Sequence, residues 1–196
     1  LGFHYLAQAN RLVFALIISC GPGQQQEVEV EEVIQKEAPA PDYNPEARLS
    51  ELGIELPVAS TPVANYVNAV RVGNLLFLAG KGPKKADGQY MTGKLGSDLT
   101  VEEGYQAARL SGISQLAVLK AELGNLNKVK RIVKVLGMVN ASPDFTDQPE
   151  VVNGFSDLMV EVFGERGKHA RAAVGMGSLP RGIAVEVEVI VEVYED

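Results

Sequence analysis

His169-Ala-Arg171-Ala-Ala173-Val-Gly175-Met-Gly-Ser-Leu-Pro180-Arg-Gly-Ile-Ala-Val185-Glu186-Val-Glu188-Val-Ile-Val-Glu192-Val193 is the stretch from which the architecture is read. It spells two strands, His169 to Met176 and Ile183 to Tyr194, around a turn at Gly177-Ser-Leu-Pro180. Side chains alternate across a strand. Ala170, Ala172, Val174 and Met176 therefore share one face, and Arg171, Ala173 and Gly175 the other. In the second strand Val185, Val187, Val189 and Val191 lie opposite Glu186, Glu188 and Glu192. The valine and alanine faces are expected to meet helices. If the hairpin closes on Gly177 to Pro180, Arg171 falls roughly opposite Glu186 on the helix-free face.

Outward from this hairpin the punctuation is regular. Asn44-Pro45-Glu46 reads as an N-cap with proline at the first helical position, and that helix stops at Gly53. Tyr66 to Val72 and Leu75 to Ala79 are strands around the Gly73-Asn74 turn, and Gln89 to Leu95 a third short strand. Thr100-Val-Glu-Glu103 is a capping box that opens a long helix ending at Gly124. Val129 to Val139 is β-branched and reads as a strand. Asp147-Gln-Pro-Glu150 caps a further helix, with Val151, Val152, Phe155, Leu158, Met159 and Val162 inward. The order β-β-β-α-β-α-β-β predicts an α+β domain: a six-stranded sheet with two long helices on one face. The bare face is then expected to be an oligomer interface.

The 196 residues are 46% apolar and carry 18 basic against 25 acidic side chains, for a net charge of −7. That suits one globular domain and argues against a dedicated nucleic-acid binder. One cysteine and two histidines exclude, within one chain, a disulfide framework and a Cys- or His-rich metal centre. Residues 1–20 differ from the rest. Arg11, the apolar run Leu12 to Ile18 and small residues at Ser19-Cys20-Gly21 follow the plan of a secretory signal, with a lipobox-like Leu16 to Cys20. The expectation is export to the periplasm or lipid anchoring at Cys20 on a bacterial membrane, the alternatives being a short apolar helix packed on the domain or an inconsequential leader, in a cytoplasmic protein. Residues 21–45, with Gln24 to Gln26, the acidic run Glu27 to Glu32 and Pro39, Pro41 and Pro45, read as a flexible tether, with room for a short helix at Val28 to Ile34. Residues 46–196 form the folded domain.

An arginine among alanines and glycines suits a two-pronged grip on a ligand carboxylate. It reads equally as a plain cross-strand ion pair, with Glu188 and Glu192 solvated. The pattern His-Ala-Arg171…Val-Gly-Met…Leu-Pro180…Val-Glu186-Val-Glu188, with Asn65-Tyr66-Val67 before Leu75-Leu-Phe-Leu-Ala-Gly80, resembles the RidA family of reactive-intermediate deaminases, once labelled endoribonucleases. The resemblance covers about Leu49 to Glu195. It implies a chorismate-mutase-like fold, a homotrimer with clefts between subunits, and no cofactor or metal. It implies that Arg171 grips the carboxylate of a 2-imino or 2-enamino acid and that Glu186 positions water. Tyr66 and Asn153 match cleft-lining positions, and backbone near Gly80 and Ala173 lines the pocket. Ala79 and Ala173 stand where many deaminases carry Ser and Cys, and Lys81 where Gln is common. Lys81 either pairs with a ligand carboxylate or caps its loop in solvent. Three functions follow: hydrolysis of imines to 2-keto acids and ammonia, a non-catalytic module binding a carboxylate metabolite in the same cleft, and an endoribonuclease, against which the acidic charge and the lack of a histidine pair weigh.

Overall fold

The computed structural model describes residues 14–16, 28–30, 43–62 and 64–195. The chain divides into two units, Leu1–Glu37 and Ala38–Asp196. In the first, β1 (Phe14–Leu16) pairs antiparallel with β2 (Val28–Val30). Val28 to Val30 is thus a strand, where the sequence leaves room for a helix. The remainder of the leader, Cys20 and most of the tether lie outside the described residues.

The second unit is a five-stranded sheet, β3 (Ala69–Val72), β4 (Leu75–Lys81), β5 (Val129–Asn140), β6 (Ala170–Met176) and β7 (Val185–Val193), in the order β3-β4-β7-β5-β6. Only β5 and β6 run parallel. Parallel neighbours need a crossover, and α3 (Gln148–Phe163) supplies it. The long helix α2 (Val101–Leu123) joins β4 to β5, and the short α1 (Pro45–Glu51) packs against α3. The caps are those the residues specify. Asn44 Oδ1 accepts from the backbone of Glu46 and Ala47, Thr100 and Glu103 close a capping box, and Gly124 ends α2 at φ 72°. Asp147 is the exception: it precedes α3 but makes no side-chain cap.

Two expectations about the sheet are corrected. Gln89 to Leu95 is not a sixth strand. It touches its neighbours through isolated bridges at Tyr90, Thr92 and Leu95, because Gly93 and Gly96 turn the chain at φ 128° and 85°. The last two strands are not a hairpin. β7 inserts between β4 and β5, and β5 separates it from β6. The cause lies in β7 itself: its valines at 185, 187, 189, 191 and 193 are all buried, so the strand belongs in the middle of the sheet. The segment between the strands spans two strand spacings, about 10 Å.

The core lies between the helices and one sheet face: Val135, Val139 and the β7 valines meet Leu116 and Leu119 of α2 and Phe155 and Leu158 of α3. β4 contains a bulge. Leu78 pairs with Val189 but Lys81 with Val187, so Ala79 and Gly80 together face one partner residue. Gln115 of α2, 1% exposed, donates through Nε2 to the carbonyls of Ala79 (3.0 Å) and Val187 (2.7 Å) at this break. Replacing Gln115 by Leu keeps the volume and orphans both carbonyls, so urea denaturation should show a loss of about 1–3 kcal/mol; unchanged stability would show that the bulge does not need the amide.

Candidate functional site

The bulge positions the first group of residues. Regular alternation would put Lys81 on the same face as Leu75 and Phe77. The extra residue turns it to the other face, where it is 7% exposed beside α2. Lys81 Nζ donates to Asn68 Oδ1 at 2.7 Å, and Asn68 Nδ2 donates to the Ser60 carbonyl at 2.8 Å. Lys81 is therefore neither a loop cap in solvent nor a side chain on the open sheet face. Gly80 is the residue left facing Glu186. A Cβ there would overlap Glu186 Oε1, so only glycine lets the carboxylate lie across the strand. Burial raises the Glu186 pKa above the ordinary carboxylate value, the neighbouring Glu188 adds to the rise, and Lys81 opposes it. Burial likewise lowers the Lys81 pKa, against the pull of Glu186. Tyr66, half exposed, lies in the segment that leads into β3.

The second group is on the far edge. Arg171 pairs in register with Val135, a core residue, so it projects from the helix-covered face and not from the bare one. Its guanidinium reaches α3: Nη1 donates to Asn153 Oδ1 at 2.8 Å and to Ser156 Oγ at 3.0 Å, and Nη2 to the Pro149 carbonyl at 3.4 Å. Ala173 and Gly175 follow on the same face, while Val174 and Met176 are exposed on the other. This reverses the assignment of the β6 faces made from the sequence. The alanine face was expected inward because it is the more apolar, but β6 is an edge strand and α3 covers the Arg171 side of it.

Within one chain, then, Arg171, Asn153 and Ala173 share one neighbourhood, and Gly80 and Glu186 meet in another. The expected Arg171–Glu186 pair does not form: two strands face each other across β5, and the side chains leave the sheet on opposite sides. Two residues of the Arg171 group were given no role in the sequence reading, Ser156 and His169, whose Oγ and Nε2 are 3.1 Å apart. Their spacings carried the signal. Asn153 and Ser156 stand three apart on a helix and share a face, while His169 and Arg171 stand two apart at a strand and share a side.

The bare sheet face is apolar and concave. Val70 and Phe77 are 53% and 42% exposed there, and a hollow of about 490 Å³ is lined by Val67, Val70, Phe77, Leu136, Glu188 and Ile190. No cluster of metal-ligating side chains occurs among the described residues.

Comparison with known proteins agrees with this architecture. Residues 46–192 match the family described as "YjgF/chorismate mutase-like, putative endoribonuclease". TCP17 of Trypanosoma cruzi is 50% identical over 147 residues, which cover 74% of this chain and 92% of that protein. A 2-iminobutanoate/2-iminopropanoate deaminase of Dermatophagoides farinae is 30% identical over 139 residues, covering 70% and 93%. The crystal structure of an Agrobacterium tumefaciens protein of unknown function superposes with a TM-score of 0.71 at 45% identity, covering 76% of this chain and 92% of that one. With the family match spanning the whole sheet and both long helices, the chain belongs to the RidA/YjgF family and has its chorismate-mutase-like fold.

Proposed function

We propose that the protein hydrolyses 2-imino and 2-enamino acids to 2-keto acids and ammonia, in a cleft built from two copies of the chain. The observation that carries the reading is the division of the site. Arg171 with Asn153 sits at one edge of the sheet, and Glu186 over Gly80 at the bulge, on the other face. Each is half of a site. Two different patches on one molecule suit a head-to-tail contact, which closes into a ring. The exposed apolar face around Phe77 supplies surface for burial between copies, and three copies are the family's expected ring.

The guanidinium holds the substrate carboxylate by paired N–H bonds. An enamine first takes a proton from solvent at its terminal carbon and becomes the protonated imine. Water then adds to the protonated imine carbon, and Glu186 accepts the water proton. The tetrahedral amino alcohol takes that proton back on nitrogen, the C–N bond breaks, and ammonia leaves as Glu186 accepts the hydroxyl proton and the carbonyl forms. The raised Glu186 pKa makes it a stronger base than an exposed carboxylate, and the nearby Lys81 charge limits the rise so that it stays available as a base. Ala79 and Ala173 leave the pocket walls without polar side chains, which favours apolar substrate tails. The chain's net charge of −7 does not favour an RNA substrate. Export or lipid anchoring at Cys20 remains a separate expectation from the leader.

Arg171→Lys keeps the charge and loses the fork, so 2-keto acid affinity measured by calorimetry should fall roughly tenfold to a hundredfold. Unaltered affinity in the folded variant would remove Arg171 from the site. Glu186→Gln should lower ammonia release from freshly generated 2-aminoacrylate by about two to four orders of magnitude. A carboxyl with a raised folded pKa binds its proton more tightly when folded, so stability falls as pH rises from the ordinary value through the raised one. Glu186→Gln removes that cost, and the variant should melt no lower than the parent at pH 7. A marked loss of melting temperature would make Glu186 structural instead. Sedimentation of the parent at micromolar concentration should give a trimer, and a stable monomer would contradict the shared cleft.

A further inference from the structure

The Arg171 guanidinium is held from behind by a directional chain of hydrogen bonds. His169 Nδ1 lies 2.6 Å from the Gly167 carbonyl, and a carbonyl only accepts, so Nδ1 carries the ring proton. In the neutral ring Nε2 is then the acceptor, and it stands 3.1 Å from Ser156 Oγ. The hydroxyl proton points to Nε2, which turns the oxygen lone pairs toward Arg171 Nη1 at 3.0 Å. Asn153 Oδ1 takes the second Nη1 proton at 2.8 Å. Both N–H bonds of Nη1 are thereby engaged. Among the described residues no acceptor takes Nε–H, and that donor shares an edge of the guanidinium with Nη2, which gives one hydrogen to the Pro149 carbonyl over a long 3.4 Å and keeps a second. The neutral ring is the form this chain requires. Burial lowers the His169 pKa, against the Gly167 hydrogen bond, and the Arg171 charge lowers it further. Phe155 packs edge-on against the imidazole, with centroids 6.2 Å apart, and fixes its plane.

We propose that His169 and Ser156 are positioning residues for carboxylate recognition: they fix the rotation of the guanidinium so that its Nε/Nη2 edge is the one offered to the substrate. This rests on the reading of Arg171 as the carboxylate anchor. An arginine is a flexible stem with five donors, and a two-pronged bond forms only when one edge is aimed. Asn153, with only the long bond from Nη2 to the Pro149 carbonyl beside it, leaves the head room to swing. Ser156 adds a second short bond on Nη1, and His169 keeps the serine oxygen turned to accept.

The test compares removal with rescue. Ser156→Ala and His169→Phe break the chain; Ser156→Thr keeps a hydroxyl, and His169→Gln can place a carbonyl oxygen near Nε2 as acceptor. For each, pyruvate affinity is measured by calorimetry, and KM and kcat with freshly generated 2-iminopropanoate. A lost aim weakens ground state and transition state alike, so Kd and KM should rise roughly fivefold to tenfold with kcat nearly unchanged, and the Thr and Gln variants should return toward the parent. A merely structural role would move melting temperature and leave this split and the rescue absent. If Arg171→Lys weakens pyruvate binding while folded Ser156→Ala and His169→Phe bind like the parent, the positioning role is overturned and the anchor stands. If Arg171→Lys also binds like the parent, both are overturned. Should Ser156→Ala not fold, the His169→Phe and His169→Gln pair decides by itself.

Discussion

The break in β4 at Ala79–Gly80 decides what the sheet presents on each side. Without it Lys81 would stand on the open face and a lysine ammonium would occupy the apolar surface around Phe77. With it, Lys81 turns under the helix layer and Gly80 becomes a floor on which the Glu186 carboxylate rests. A bulge leaves backbone groups out of register, and buried carbonyls cannot go unpaired cheaply. Gln115 meets this need with one amide nitrogen shared by two carbonyls. A single polar side chain in the core of α2 thus braces the strand irregularity that turns Lys81 inward and leaves Gly80 beneath Glu186.

The position of β7 has the second consequence. A strand with valine at every inward position and glutamate at 186, 188 and 192 outward has one dry face and one wet one. Placed centrally, it seals the core with the first and carries Glu186 and Glu188 onto the bare face with the second. β6 is displaced to the edge, where α3 can reach Arg171. Arg171 and Glu186 are separated by this topology, and in the proposed reaction a neighbouring copy reunites them. An unusual feature of the sequence, a guanidinium among alanine and glycine, is accounted for by the same placement: small residues on an edge strand leave room for α3 side chains.

Local chemistry was legible in the residues. The caps at Asn44, Thr100 and Gly124 and the long strand at 129–140 appear as their sequences specify, because each depends on a few neighbouring residues. The separation of β6 from β7 was not legible, since adjacency in sequence favours a hairpin and only the burial demand of the β7 valines says otherwise. The wrong hairpin carried the wrong face for Arg171 with it, because strand pairing and side-chain direction are one decision. The bulge was hidden for a different reason. Its signature is a glycine followed by a lysine in an apolar strand, and the residue that stabilises it is distant in the chain. Arg171 stood out by its setting among alanine and glycine and Glu186 by its expected place opposite it, resemblance gave both their roles and added Asn153 and Gly80, and the structure shows which of them share a chain-internal neighbourhood.

The claim on which the account turns is that Arg171 of one copy works with Glu186 of another. Co-refolding equal amounts of the Arg171→Lys and Glu186→Gln chains tests it directly. Each variant by itself should release ammonia poorly from 2-aminoacrylate. In randomly mixed head-to-tail rings, about a quarter of the sites combine an unaltered Arg171 with an unaltered Glu186, and activity should recover to about that fraction of the parent. Mixed oligomers, verified by a mass tag on one chain, that remain as inactive as the single variants would contradict a site shared between copies.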